Sequence, residues 1–580
     1  AEDGIRDVER SRGLGDVYKR QVFTFKGTKE EFAKNLKNFF GKDKVKIVAI
    51  DGTKYERSRR GCIVFYVLAA PLVYELYLGP QIKIKRVEEE YVRNNVMVLI
   101  PVPWSEIFLL EGSSGEVELS VEGEEEVEEE LGDFFTPQRI GRVDTVLMKL
   151  AEVYTAYWCI KNVKPDVIML DGSLFQDYSF SNRSVDKISI WKGEVLDFRF
   201  TKEDFMILKA YPINTKLRIP SPVFVREFIT AELLTSGKME IDKSSLKYRS
   251  TLLGVELKLT ERQLNMLKEL DYIEVEEKNS KVILSLKKEY QSTWDKLKSF
   301  FLRVCEEGFS KNNLDAFKVF LKNDGKSYRY MCEEDLETLC RIGYNIIFEE
   351  CWKSGILLFS ITKDSYVRFF IDNFLTIAGP RHLSVFNFKQ ELLPRIPSTD
   401  AGMLYDISVG VKDLHPPLFL MEYDPAISTI YSSYDEGTST YVLKQLRKVA
   451  QERRFLRSLI QIAEDSIGRK SLVFTVDRIT YPEYDKDCEF LTVQLGKNQY
   501  NFAYYTKPSK IMKAITELIL LLSSNKHDAV FGYPDPMFDV DQYVKTIGKA
   551  HLESLDLALT EIDLEEFSVT YRQMREIGGG

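Results

Sequence analysis

The chain has 580 residues, 44% hydrophobic and 29% charged, which excludes a disordered or fibrous polymer and leaves room for more than one lobe. A formal net charge of -9 excludes a uniformly basic nucleic-acid coat, though not a local basic patch. Seven cysteines without a CxxC pair, and four histidines without ligand spacing to them, exclude a zinc knuckle and a disulfide scaffold and fit reduced thiols in a cytoplasmic protein.

In chain order, residues 1–21 read as a foreign leader: Asp16 to Gln21, D-V-Y-K-R-Q, is the translation expected from a transposase sequencing adapter. A helix is expected from Thr28, with Thr28 and Glu31 as a capping box, Phe32, Leu36 and Phe39 along one face, and Gly41 at the stop. Val45 to Ile50, apolar except for Lys46, is expected to be a buried strand ending in the turn Asp51-Gly52-Thr53. A basic turn follows, with Lys54, Arg57, Arg59 and Arg60.

Cys62 to Leu78 is long and apolar enough to raise a membrane helix. Pro71, Glu75 and the wealth of Val, Tyr and Phe favour two buried strands instead. Further strands at Ile82–Lys85 and Val96–Ile100 would complete a meander. Glu116 to Glu130 holds nine glutamates and reads as a solvated loop. From Arg139 to Ile160, Val143, Val146, Leu147, Leu150, Val153 and Tyr154 recur at helical spacing, and Glu152 rides on that helix. Val167 to Leu170 is a second buried strand, delivering Asp171 into Gly172-Ser173.

Residues 185–330 are expected to form an α+β insertion. Within it, a helix at Thr260–Leu270 followed by a hairpin, Tyr272–Val275 and Val282–Leu286, is similar to part of a winged helix that could touch DNA, while a surface elaboration or partner-docking lobe is the plainer and favoured reading. The core is expected to resume with a helix at Leu336–Trp352, a strand at Gly355–Thr362, a hairpin around Gly496-Lys497-Asn498, a helix at Ser509–Leu522 and a last amphipathic helix from about Met537. Residues 22–184 and 331–580 would then be two halves of one α/β core.

Antiparallel strands, a helix and a further strand, with acids on the first strand, the helix and the later strand, form an order that resembles the ribonuclease H-like fold, a mixed sheet flanked by helices. The motifs D-G-T-K-Y at Asp51, L-M-K-L-A-E ending at Glu152, D-G-S-L at Asp171, Gly355 to Ser365, Ser398 to Leu404, and G-Y-P-D-P at Gly532 are similar in type and order to the NurA nuclease family. Phosphodiester cleavage needs a nucleophilic hydroxide and neutralised phosphate charge, which two divalent cations supply through oxygen ligands. Plainer readings stand beside this one. A lone Asp before Gly commonly forms a turn, and a helical Glu is usually solvated.

The resemblance implies metal binding by Asp51, Glu152 and Asp171 with manganese or magnesium, and a catalytic role for those three acids and Tyr533. The family pattern has a His eight residues after the Tyr, where this chain has Asp541. Asp541 can still ligate a metal, whereas His551 falls on another helix face. Arg57, Arg59, Arg60 and Lys363 are candidate contacts to the DNA backbone. Gly325-Lys326-Ser327 fails as a P-loop because the first glycine of the motif would fall at Phe320. The resemblance therefore implies an outside motor, a HerA-like hexameric ATPase, acting with a homodimeric nuclease in DNA end processing for recombinational repair. The rival reading is an adaptor or regulatory DNA-binding partner of the ATPase whose chemistry has weakened.

Overall fold

The computed structural model describes residues 22–59, 62–87, 95–103, 137–178, 185, 188–210, 224–321, 327–363, 366–375, 377, 399–410, 414–435, 440–445, 455–481, 484–495, 498–523 and 531–561. The expected leader, the glutamate loop and Arg60 lie outside these residues, as does the tip of the Gly496 hairpin.

Strand β1 (Val22–Thr24) precedes helix α1 (Lys29–Phe40). Thr28 and Glu31 bond each other's backbone reciprocally, and Gly41 closes the helix in the left-handed region. Then come β2 (Lys44–Arg59), β3 (Cys62–Leu78), β4 (Ile82–Arg86) and β5 (Val96–Pro103). The long helix α2 (Pro137–Asn162) leads into β6 (Val167–Asp171). Later core elements are α3 (Glu333–Ser354), β7 (Leu357–Thr362), β8 (Leu418–Leu420), β9 (Phe455–Gln461), β10 (Val473–Ile479), α4 (Lys510–Leu522) and α5 (Asp535–Glu561).

One ten-stranded sheet joins them in the order β1-β8-β9-β10-β7-β6-β2-β3-β4, with β5 also on β3. β6 runs parallel to β2 on one side and to β7 on the other, and the remaining pairings are antiparallel. An antiparallel meander, a helix, then two parallel strands added beside the first strand is the ribonuclease H-like arrangement. Sequence explains why β2 and β6 sit in the middle. Val45, Ile47, Val48, Ala49 and Ile50, like Val167, Ile168, Met169 and Leu170, are buried on both faces, as strands covered by helices on both sides must be.

Two sequence expectations need correction. Asp51 does not end its strand, because the β2–β3 ladder continues from Asp51↔Ala70 to Arg59↔Cys62. Phe65, Val67 and Leu68 of β3 are buried and hold β2 in register beyond the acid, so the expected basic turn is strand as far as Arg59. Likewise, Cys62–Leu78 is one strand rather than two. Pro71 falls between the stretch paired with β5, which ends at Ala69, and the stretch paired with β4, which starts at Tyr74. A missing N–H there costs no ladder bond on that edge. No helix among the described residues is long and apolar enough to cross a membrane.

The segment 185–330 builds separate small sheets. The expected helix spans Glu261–Lys268, capped by Thr260, and the hairpin pairs Ile273–Lys278 with Lys281–Leu286. A third strand, Lys238–Asp242, adds beside Lys281–Ser285 after a helix at Val225–Ser236. A short hairpin, Lys247–Arg249 with Glu256–Lys258, stands between that strand and the helix at Glu261–Lys268, and the charges of this segment pair with one another: Lys268 and Lys243 with Glu277, Lys281 with Glu240 and Lys278 with Glu276.

Candidate functional site

The parallel ladder between β2 and β6 ends at Ile50↔Leu170, so Asp51 and Asp171 are the next residues on neighbouring strands. Strand pairing therefore brings two acids 120 residues apart in sequence to the same end of the sheet. Helix α2 approaches β2 at Gly52. A Cβ there would lie 2.7 Å from Glu152 Oε1 and 2.8 Å from Met148 Cγ. Gly172, at φ +88°, plays the same part after Asp171, with Lys149 Nζ 3.1 Å from where a Cβ would be. Both Asp-Gly pairs thus leave room for one turn of α2, Met148 to Glu152.

The charges that meet here are unbalanced. Asp51 and Glu152 are buried. Burial, then Asp171, then Glu152 push the Asp51 carboxyl well above the usual carboxylate range, although Gly52 N donates to its Oδ1 at 2.7 Å. Burial also pushes Glu152 up to about 7, against the pull of Lys149. Lys149 Nζ stands 2.9 Å from Glu152 Oε2 and 3.5 Å from Asp177 Oδ2. Burial works to lower the Lys149 ammonium, but Glu152, Asp177 and Asp171 together hold it well above its ordinary value. Glu152 Oε1 is buried and has no hydrogen-bond partner among the described residues.

On the other side, the turn leading into α5 brings Tyr533 and α5 itself brings Asp541. The Tyr533 hydroxyl donates to Asp171 Oδ1 at 3.3 Å, and burial followed by Asp171 and Asp51 raises its phenol. Asp541 pairs with Lys545 Nζ at 2.7 Å and Lys363 Nζ at 3.5 Å. Against burial, those lysines hold its carboxyl below the usual range. Lys363 follows directly on β7 and lies 5.5 Å from the centre of the Tyr533 ring.

The structure therefore gathers Asp51, Glu152, Asp171, Tyr533, Asp541 and Lys363 around the end of β6. It places Arg57 elsewhere. Arg57 is six residues beyond Asp51 on an extended strand, roughly 20 Å away, and pairs with Asp556 at 3.3 Å. Arg59 ends the same strand, and Arg60 is outside the described residues. His551 bonds the Tyr66 hydroxyl through Nδ1 at 2.8 Å, away from the acids. Three participants had gone unread: Lys149, three residues before Glu152; Lys545, four after Asp541; and Asp177, six after Asp171. The first two stand at the spacings by which a helix places two side chains side by side, a signal available without a fold.

Oxygen-only ligands and a spare buried carboxylate oxygen suit a hard divalent cation. Among the described residues, no three His, Cys, Asp or Glu side chains stand close enough together to hold one as they lie. The acids are tied instead to Lys149, Tyr533, Lys363 and Lys545. The donor set, all carboxylate oxygens with Glu152 Oε1 spare, is of the kind a hard divalent cation takes, although the side chains as they lie do not enclose one.

No family model matches the chain, and no curated protein matches it in sequence. Among solved structures it is similar to the NurA nuclease from Sulfolobus solfataricus, at 12% identity and a TM-score of 0.34, over 97% of this chain and 94% of that one. It is also similar to NurA with manganese, at 13% and 0.31 over 96% of each chain, and to NurA bound to dAMP and manganese, at 13% and 0.27 over 86% and 84%. These superpositions are loose, and the fold assignment rests on the strand order given above.

Proposed function

We propose that the protein is a divalent-metal-dependent deoxyribonuclease of the NurA type. The observation that carries this reading is the buried Glu152 Oε1 beside Asp51 and Asp171, a carboxylate oxygen with no hydrogen-bond donor among the described residues. Asp51, Glu152 and Asp171 would hold manganese or magnesium, with Asp541 as a further ligand in place of the family histidine. The bound ions would supply an attacking hydroxide and neutralise charge on the phosphate and the leaving oxygen. Tyr533 keeps Asp171 oriented through its hydroxyl. Lys363 and Lys545 bring positive charge for the backbone of the DNA strand.

From the family resemblance, the reading extends to a cytoplasmic homodimer that processes DNA ends in recombinational repair while a HerA-like ATPase moves the DNA. Residues 22–184 and 331–580 would form the nuclease core around a 185–330 insertion. The test offers single-stranded DNA to the purified chain with manganese. Cutting is expected from the wild type and not from Asp51→Ala or Asp171→Ala, and full activity in both variants would sink the site.

One observation favours a second reading, that of an adaptor with weakened chemistry: Lys149, Lys363 and Lys545 already neutralise much of the acid cluster. Manganese titration by calorimetry separates the two, since the nuclease reading requires saturable binding.

A further inference from the structure

We infer that Lys149 is a tethered counter-ion of the acid cluster, one that a divalent cation must displace from Glu152 before it can be held there. The inference rests on the metal-dependent reading and adds a competitor built into the chain.

Its support is positional. Lys149 does not reach outward from α2 as a surface lysine does; its side chain is 19% exposed and its ammonium lies between Glu152 Oε2 and Asp177 Oδ2. The ammonium also fills the space left by the absent side chain of Gly172, immediately after Asp171. It thus stands between the helix acid and the loop that follows the strand acid. Glu152 meanwhile gives Lys149 one oxygen and leaves the other, Oε1, without a partner. A single ammonium satisfies half of that carboxylate, and a doubly charged ion would compete for all of it.

The consequence is twofold. Without metal, Lys149 offsets the repulsion among Asp51, Glu152, Asp171 and Asp177 that would otherwise oppose folding. With metal, the ion has to break the Lys149–Glu152 contact, so affinity is weaker than the acids alone would give. The four-carbon stem allows the ammonium to swing aside without moving α2.

The test uses the full chain with manganese chloride alone, comparing wild type, Lys149→Met and Lys149→Arg by calorimetry and by thermal melting with and without the ion. Lys149→Met is expected to bind manganese about tenfold more tightly or better, to melt lower than wild type without metal, and to gain more from the ion. Lys149→Arg, which keeps the charge, should bind no more tightly than wild type. Equal or weaker binding by Lys149→Met overturns the inference alone and leaves Lys149 as a structural ion pair. No saturable binding by any of the three removes the metal reading and the inference with it. Should Lys149→Met fail to fold, Lys149→Gln keeps a donor toward Glu152 without the charge and is read by the same criteria.

Discussion

Two buried charged groups lie on the same sheet and are built on opposite principles. In the first, Arg457 and Asp477 face each other across the antiparallel β9–β10 ladder. Arg457 Nε and Nη2 donate to the two oxygens of Asp477 at 2.6 and 2.8 Å, and Ser173 bonds both partners. One cation meets one anion, both are almost fully buried, and both carboxylate oxygens are used, although Arg457 Nη1 has no hydrogen-bond partner among the described residues. In the second, at the end of β6, Asp51, Glu152, Asp171 and Asp177 share one inward lysine, and Glu152 Oε1 has no donor among the described residues. Burial of charge is common to both, so burial alone does not mark function. The balance of charge differs: the matched pair holds the Ser173 turn in place, while the acids at the end of β6 outnumber the lysine that lies among them, and on the proposed reading a divalent cation would make up the difference.

The comparison breaks most visibly if the matched pair is unbalanced. Arg457→Met leaves Asp477 buried with its main partner gone, and an uncompensated buried charge of this kind costs ~3–5 kcal/mol. Chemical denaturation should show that loss, and the double variant Arg457→Met/Asp477→Leu should recover most of it. Because Ser173 and the backbone N–H of Phe175 also bond Asp477, the turn carrying Asp171 should loosen in the single variant. A single variant as stable as wild type would remove the distinction drawn here.

Acidity sharpens the comparison from the other side. Glu152 stands at about 7 in the fold, pushed there by burial, against 4.5 as its ordinary value. A carboxyl raised on folding stabilises when protonated: its contribution is fully present below about 4.5 and is lost as pH rises through about 7. In chelator-treated protein, stability should therefore rise by ~2 kcal/mol between pH 8 and pH 5, an order-of-magnitude figure because the Asp51 and Asp177 carboxyls are also raised and are coupled to it. Glu152→Gln should make that slope shallower, leaving the part due to Asp51 and Asp177. A slope undiminished in the variant would assign it to another acid.

How far the sequence disclosed this arrangement follows from the range of the forces involved. Local signals were legible: Thr28 and Glu31 cap α1, and the apolar run Val167–Leu170 becomes the central strand that delivers Asp171. The three acids and Tyr533 could be picked out because each sits in a short motif. The long reach of β2 past Asp51 could not, since it is imposed by buried residues of β3 across the ladder, a partner invisible in the local pattern. For the same reason Arg57 was expected beside the acids, although a continuous strand carries it away to Asp556. Lys149 was passed over because a lysine among apolar helix positions reads as solvated, and only the approach of the Gly172 turn makes it an inward charge. Asp477 and Arg457 carry no motif at all.

The smallest effect tests the claim most directly. Asp51→Asn keeps the side chain's shape and the oxygen that accepts from Gly52 N, and removes one negative charge from a buried group of acids. In a cluster built for stability, removing a charged member should be destabilising, as at Asp477. At a site where burial and two neighbouring carboxylates already oppose ionisation of Asp51, the neutral amide should relieve repulsion and raise metal-free stability by ~1 kcal/mol. Manganese should reverse the order of the two proteins, because the variant has lost a ligand and gains less from the ion. Melting curves of wild type and Asp51→Asn, with chelator and with manganese, decide it. A variant less stable than wild type without metal would place Asp51 among the structural charges, and the acids at the end of β6 would then be another matched group whose partners had been misread.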